Sequence, residues 1–290
     1  MRFPSPAFLA ALLLPLLPHL AAAQTTTDSL TAVKSRYSLL RPVPRSLMRP
    51  LAADRPGVTE NPVTVDAGHL QFETDLGRLI TSRPGTEPRQ RTIRANAFAL
   101  KMGLSNRTDL QVFVDAYQWE RTFATADEPA TSSRGFGDVT LRLKRNLLGN
   151  DSTEGPLALG LIGSVLLPTG GAQGAGGTEY AVLVPATYAL SDSWNLSAQL
   201  PLRLGFDRDA SRHYLATSPS INLDHTLRPW LMVFVEAVAE RDFRSRRWEE
   251  ALNVGPVFFV GKNLQFDFGR HFALTRNADR EYFVGLVVRR

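Results

Sequence analysis

The feature that most constrains this chain is an alternation of apolar and polar side chains, sustained over runs of about ten to fourteen residues. Around residue 140, Val139, Leu141 and Leu143 fall on one side, and Asp138, Thr140, Arg142 and Lys144 on the other. Side chains along a strand alternate with a period of two, so one face here is greasy and the other charged. A turn cluster, Gly149-Asn150-Asp151-Ser152-Thr153-Glu154-Gly155-Pro156, leads into a second, more apolar run. The same unit recurs from 68 onward and at 91–104, 108–121, 137–148, 156–168, 178–190, 193–206, 213–227, 230–243, 248–260, 264–273 and 280–289.

These runs are too long for ordinary soluble sheets, whose strands centre on about five or six residues. A tilted membrane strand needs roughly nine to eleven. Their number, twelve, is even, as a closed antiparallel outer-membrane barrel requires. The connections also alternate. Odd-numbered gaps hold roughly 10, 15, 9, 6, 4 and 6 residues, and even-numbered gaps roughly 3, 7, 2, 2 and 3. Outer-membrane barrels put long loops outside and short turns on the periplasmic side. The expected fold is therefore an all-β, twelve-stranded antiparallel transmembrane β-barrel in the bacterial outer membrane, with both termini periplasmic. Phe123, Tyr180, Trp194, Phe206, Trp230, Phe243, Trp248 and Tyr282 fall near run ends, where interfacial aromatic girdles belong. A soluble β-sandwich is the alternative fold, disfavoured by run length and loop asymmetry.

Residues 1–23 combine Arg2, an apolar run at 8–17 and Ala21-Ala22-Ala23 before Gln24, the pattern of a secretory signal peptide. Pro15 and Pro18 break that run, and it is too short to span a bilayer. Residues 24–67 carry prolines at 42, 44, 50, 56 and 62 and show no period, so they read as a periplasmic N-terminal segment and a possible plug. Residues 68–290 are the barrel. The absence of cysteine rules out disulfides, thiol chemistry and cysteine-held metals. The net charge of +5 is scattered, which with export argues against nucleic acid as a partner.

The residues also carry a resemblance. Asp54-Arg55-Pro56-Gly57-Val58-Thr59-Glu60-Asn61-Pro62, with Thr64-Val65-Asp66-Ala67-Gly68-His69-Leu70-Gln71-Phe72-Glu73, resembles the opening of the "MetA-pathway of phenol degradation" outer-membrane transporters. Gly135-Phe136-Gly137-Asp138-Val139-Thr140-Leu141-Arg142-Leu143-Lys144 and Leu167-Pro168-Thr169-Gly170 resemble their mid-chain strand and its exit. The resemblance covers about residue 50 to the C-terminus. It implies an outer-membrane barrel that passes small aromatic or hydrophobic compounds, and it carries over no catalytic or binding residues. Many outer-membrane barrels end on an aromatic residue. This chain ends Val287-Val288-Arg289-Arg290, with Phe283 several residues in.

Signals for catalysis are weak. Ser211, His213, Asp207 and Asp209 share one stretch that reads better as a solvated loop than as a nucleophile and base. There is no Gly-x-Ser-x-Gly elbow and no His-Glu-x-x-His metal spacing. The glycines of 170–177 lack the Lys-Ser/Thr of a phosphate loop and read as a flexible external loop. No catalytic residue, metal or cofactor is called for.

The polar faces say more. A charge facing lipid at mid-depth costs about 2–4 kcal/mol, so the charges within the runs belong in the lumen. The lumen-lining candidates are Asp115, Asp138, Arg142, Lys144, Arg203, Asp224, Glu236 and Asp267, with Arg142 and Lys144 forming one local positive patch. The sequence leaves three functions open: a channel or transporter for small, possibly aromatic or hydrophobic, molecules; a structural or assembly-related barrel with a plugged lumen; or an outer-rim barrel hydrolase. The expected partners are outer-membrane lipid and lipopolysaccharide, a small-molecule solute and the barrel-assembly machinery.

Overall fold

The computed structural model describes residues 29–82, 89–95, 97–123, 131–151, 154–244, 248–275 and 278–290. The signal peptide expected at 1–23 lies outside them. A short helix, α1 (Ser29–Lys34), is followed by irregular chain containing a 3-10 turn at Arg45–Leu47. The strands are β1 (Leu70–Thr81), β2 (Arg89–Ala95), β3 (Ala97–Ser105), β4 (Thr108–Val114), β5 (Tyr117–Phe123), β6 (Thr131–Gly135), β7 (Val139–Leu148) and β8 (Leu157–Leu167). They continue as β9 (Glu179–Ala189), β10 (Trp194–Asp207), β11 (Arg212–Thr217), β12 (Ser220–Arg228), β13 (Leu231–Asp242), β14 (Glu249–Val260), β15 (Leu264–Ala273) and β16 (Arg280–Arg289).

Four barrel strands are interrupted: β2 with β3, β4 with β5, β6 with β7, and β11 with β12. Counted through those interruptions, the wall has 12 antiparallel strands. It closes where β16 pairs with β1, from Gln71 opposite Arg289 to Thr81 opposite Arg280. Closure leaves no sheet edge to satisfy in lipid. The wall follows the period of two read from the sequence. On β7, Leu141, Leu143 and Leu147 are exposed, whereas Lys144 and Asn146 are buried. The outward face is an apolar band, for example Leu161, Val182, Leu200, Val235, Phe268 and Val284.

Two boundaries differ from the sequence reading. The stretch 123–136 is not all loop, because β6 occupies Thr131–Gly135 and pairs with β5. Its sequence, Thr-Ser-Ser-Arg-Gly, has no apolar face to announce a strand. Likewise, Arg89 and Gln90 extend β2 two residues further than the run that began at Arg91.

Residues 49–67, ahead of β1, lie against the inward side chains of the wall. Val43 and Ala67 are buried, and the N–H of Val43 bonds the carbonyl of Ala67 at 3.0 Å. The apolar interior is small: Phe234, Val257 and Phe283 form its cluster, with Met232 and Phe259 against it. Most buried side chains are polar or charged, among them Lys101, Lys144, Gln111 and Glu236. This is a membrane barrel's inversion, with the greasy face outward and the hydrogen-bonded face within.

Candidate functional site: the interior of the barrel

The interior is organised by the inner segment and the charges it meets. Asp54 accepts hydrogen bonds from Lys144 Nζ at 2.7 and 2.9 Å and from Lys101 Nζ. Lys101 also reaches Glu73 on β1. Burial works to raise the pKa of Asp54, but Lys101 and Lys144 outweigh it and hold the carboxyl far below the usual range. The same carboxylate accepts the N–H of Asn61 at 2.8 Å, closing residues 54–61 into a turn.

Arg55 is a clamp across the seam of the barrel. Its guanidinium donates to Asp267 on β15 at 2.7 and 3.2 Å and to Asp75 on β1. Between those strands, Gly285 on β16 pairs with both Asp75 and Asp267. A Cβ there would lie 1.9 Å from the Arg55 guanidinium, so only glycine leaves room for the crossing.

The tip of the turn rests on β13. Glu236, wholly buried, accepts the N–H of Val58 at 2.9 Å and both the N–H and hydroxyl of Thr59, at 2.6 and 2.5 Å. Asn253 on β14 donates to the same carboxylate at 2.6 Å. Gly57 allows the approach, since a Cβ would come within 2.7 Å of Glu236 Oε1. Gln199 on β10 takes the N–H of Glu60 at 3.0 Å and gives its amide to the Val58 carbonyl at 2.9 Å.

Glu60 bonds Arg142 Nη1 at 2.5 Å through one oxygen, while its other oxygen is buried without a hydrogen-bond partner. Burial, then the neighbouring Asp54, push its carboxyl up to about 7 against the pull of Arg142 and Lys144. Arg142 also lies over the Phe113 ring, 4.0 Å from its centroid.

A second cluster lies at the end of the barrel that carries α1 and the C-terminal Arg289-Arg290. Asp151 receives Lys34 at 2.6 Å and Arg49 at 3.0 Å. Arg49 also pairs with Asp66 at 3.1 Å. Arg289, the penultimate residue, donates to the Arg49 carbonyl at 2.9 Å, and His69 Nε2 lies 2.7 Å from the Val43 carbonyl.

Among the described residues, two cavities flank the turn. One of about 320 Å³ lies on the loop side of the turn and is lined by Glu60, Arg142, Leu166, Leu183, Pro201 and Arg203, among others. One of about 300 Å³ lies on the other side, with Pro56, Asn195, Asp224, Phe234, Phe259 and Gln265 in its wall. Glu60 borders both.

The eight residues singled out from the sequence fall into different roles. Arg142, Lys144, Glu236 and Asp267 are engaged by the inner segment. Arg142 and Lys144 thus do not form a free positive patch, because Glu60 and Asp54 neutralise them. Arg203 borders the first cavity and pairs with Glu179 at 3.2 Å and Glu240 at 3.8 Å. Asp224 borders the second and accepts the Asn195 amide at 2.9 Å.

Asp138 is buried and holds the long loop after β8, accepting the N–H of Gly170 at 2.7 Å and of Ala175 at 2.6 Å. The glycine-rich loop is therefore anchored rather than free. Asp115 sits beside Asp138, at the interruption between β4 and β5, where its N–H bonds the Asp138 carbonyl at 3.1 Å. Sequence reading missed Asp54, Arg55 and Glu60 as site residues. Their signal was the first family-like motif, which contains all three. Ser211 and His213 do not meet: the hydroxyl turns to the Arg208 carbonyl at 3.4 Å, and the imidazole Nε2 lies 2.8 Å from the Thr178 carbonyl.

The fold has relatives among solved structures. The crystal structure of an outer membrane channel from Pseudomonas putida F1 is similar at TM-score 0.55 and 14% identity, over 81% of this chain and 98% of that one. The NanC porin is similar at TM-score 0.48 and 8% identity, over 76% and 98%. The β domain of the Bordetella autotransporter BrkA gives TM-score 0.48 and 12% identity, over 76% and 98%. No curated protein sequence matches the chain. The model of the family described as "Putative MetA-pathway of phenol degradation" matches residues 53–286, from just before Asp54 and Arg55 into the last strand. On that match, the chain belongs to the putative MetA-pathway of phenol degradation family.

Proposed function

We propose that this protein is an outer-membrane channel for small molecules, aromatic or otherwise hydrophobic ones foremost, and that residues 54–61 form its constriction. The observation that carries the reading is the pair of cavities, about 320 and 300 Å³, parted by a turn whose Glu60 borders both. Each is at the lower end of the range for small-ligand sites, which begins near 300 Å³. In the first, a single-ring solute has Leu166, Leu183 and Pro201 for its ring and Arg142 or Arg203 for a polar substituent. The family's description, phenol degradation, supports an aromatic solute.

In this reading residues 1–23 are removed on export and 24–67 enter the barrel from the periplasm as a plug. Both termini are periplasmic and the long loops face outside. Asp115, Asp138, Arg142, Lys144, Arg203, Asp224, Glu236 and Asp267 line or brace the route. The barrel-assembly machinery and outer-membrane lipid are its partners, and it performs no catalysis.

A structural barrel with a shut lumen is the second reading, favoured by the Arg55 clamp and the paired lysines. Single-channel recording in planar bilayers, with liposome swelling by phenol and benzoate, separates the two. A channel gives discrete conductance steps that increase in Glu236→Gln. Folded protein in which neither form conducts would establish the second reading instead.

A further inference from the structure

We propose that the outward face of β16, β1, β2 and β5 carries a binding site for the phosphorylated headgroup of lipopolysaccharide, built on Arg280, Arg91 and Arg121. The register places them in one line. Thr81 on β1 pairs with Arg280 on one side and Arg91 on the other, and Arg91 pairs directly with Arg121. The next outward line below runs through Tyr282, Leu79, Ile93 and Trp119, with Arg270 and Arg134 at its two ends. The arginines thus stand one step beyond an apolar and aromatic row, at the loop end of the wall. A cation on the lipid face costs about 2–4 kcal/mol at mid-depth but only about 0–1 near the interface, so this row marks the headgroup level.

Two observations ask for an anion. Arg91 and Arg121 are exposed and directly opposite, and like charges in that relation destabilise a strand pair. Among the described residues, none of the three arginines forms an ion pair with an acid. The flanks are similar. Arg270, on the same outward face, lies between the rings of Phe272 and Tyr282, at 4.2 and 5.1 Å, and its Nε is buried without a partner. Arg121 itself lies over Phe123 at 5.0 Å.

Outward arginine recurs at this end as Arg241 on β13, over Phe243 and Trp248, but the row does not encircle the barrel. At the corresponding end, β8, β9 and β10 present Leu167, Tyr180 and Phe206 outward. A general basic girdle would not leave that side bare. Planar guanidiniums in a row suit phosphate, and the apolar row beneath suits acyl chains. A lipid bearing phosphate at the sugar level meets both demands, and in the outer leaflet that lipid is lipopolysaccharide. The choice of leaflet rests on the orientation proposed above.

The test uses full-length protein, purified folded and freed of lipid, with hexa-acylated lipid A bearing two phosphates, its dephosphorylated form and inorganic phosphate as probes. Binding is read by native mass spectrometry. Wild type should bind the phosphorylated form at least tenfold tighter than the dephosphorylated one. Arg91→Gln/Arg121→Gln/Arg280→Gln should lose that preference, while Arg145→Gln, at an exposed position near the opposite rim, should keep it. Heat-modifiable migration confirms that each variant is folded. Equal binding by wild type and the triple variant would overturn the site, as would complete displacement by millimolar inorganic phosphate. Orientation is tested separately by surface tags, so its failure would leave the binding result standing and move the site to the other leaflet.

Discussion

Glu236 on β13 holds Thr59 of the inner segment by both the backbone N–H, at 2.6 Å, and the side-chain hydroxyl, at 2.5 Å, across 177 residues of sequence. A buried carboxylate must find donors, and here most of them come from the chain that divides the lumen.

Replacing that carboxylate with an amide should loosen the turn. Hydrogen bonds to a charged group contribute about 1.5–3 kcal/mol, and Glu236→Gln sets an NH₂ against donors that need an acceptor. An effect of about 2 kcal/mol would raise the open fraction roughly 30-fold. Single-channel recording should show longer openings, while heat-modifiable migration stays that of the wild type. Unchanged gating would mean that the turn is not the constriction.

Asp54 is shared by two buried lysines, so Asp54→Asn should be much worse than Arg142→Leu. Breaking a buried pair by removing one partner costs about 3–5 kcal/mol. Arg142 loses a single carboxylate and is more exposed, at 20% against 2% for each lysine. Limited proteolysis of the folded barrels should cut residues 49–67 faster in Asp54→Asn. Equal cleavage rates would show that Asp54 does not secure the segment.

Glu60 should make the seat pH-dependent. Its carboxyl is raised from 4.5 to about 7 in the folded protein, so the folded state holds its proton more tightly than the unfolded one. The stability this lends is fully present below about 4.5 and is lost as pH rises through about 7. Asp54 has the opposite sign, and its contribution is lost only in strong acid. Opening should therefore increase from pH 5 to pH 8, and Glu60→Gln should flatten the response. A steep response that persists in Glu60→Gln would assign it to another group.

The wall can be tested with two neighbours. Leu141 is 41% exposed on the outward face, and Arg142 faces in. Leu141→Arg should reduce inserted, heat-modifiable protein strongly, since it places a charge in lipid at about 2–4 kcal/mol. Arg142→Leu should insert nearly as well as wild type. The opposite order would reverse the faces of β7.

Short tags report the orientation. Tags at 172–175 should be reached by antibody on intact cells, and tags at Asn106 or 191–192 should not. Reversed accessibility would place the long loops in the periplasm.

The sequence by itself determined the wall. Side-chain alternation is a local property of a strand, so Leu141 and Arg142 declare their faces without any partner, and run length separates a membrane wall from a soluble sheet. It did not announce β6, because strand that continues beyond the apolar band needs no greasy side, and Thr-Ser-Ser-Arg-Gly carries none. Only the tertiary structure decided what occupies the lumen. Arg55 finds Asp267 across 212 residues, Lys144 finds Asp54 across 90, and Asp138 leaves the lumen charges to hold a loop 32 residues on. A charge on the inner face is forced by lipid to point inward, but nothing local names its partner. That choice follows from which charges the closed barrel brings together where water is scarce, and there each buried ion must be matched.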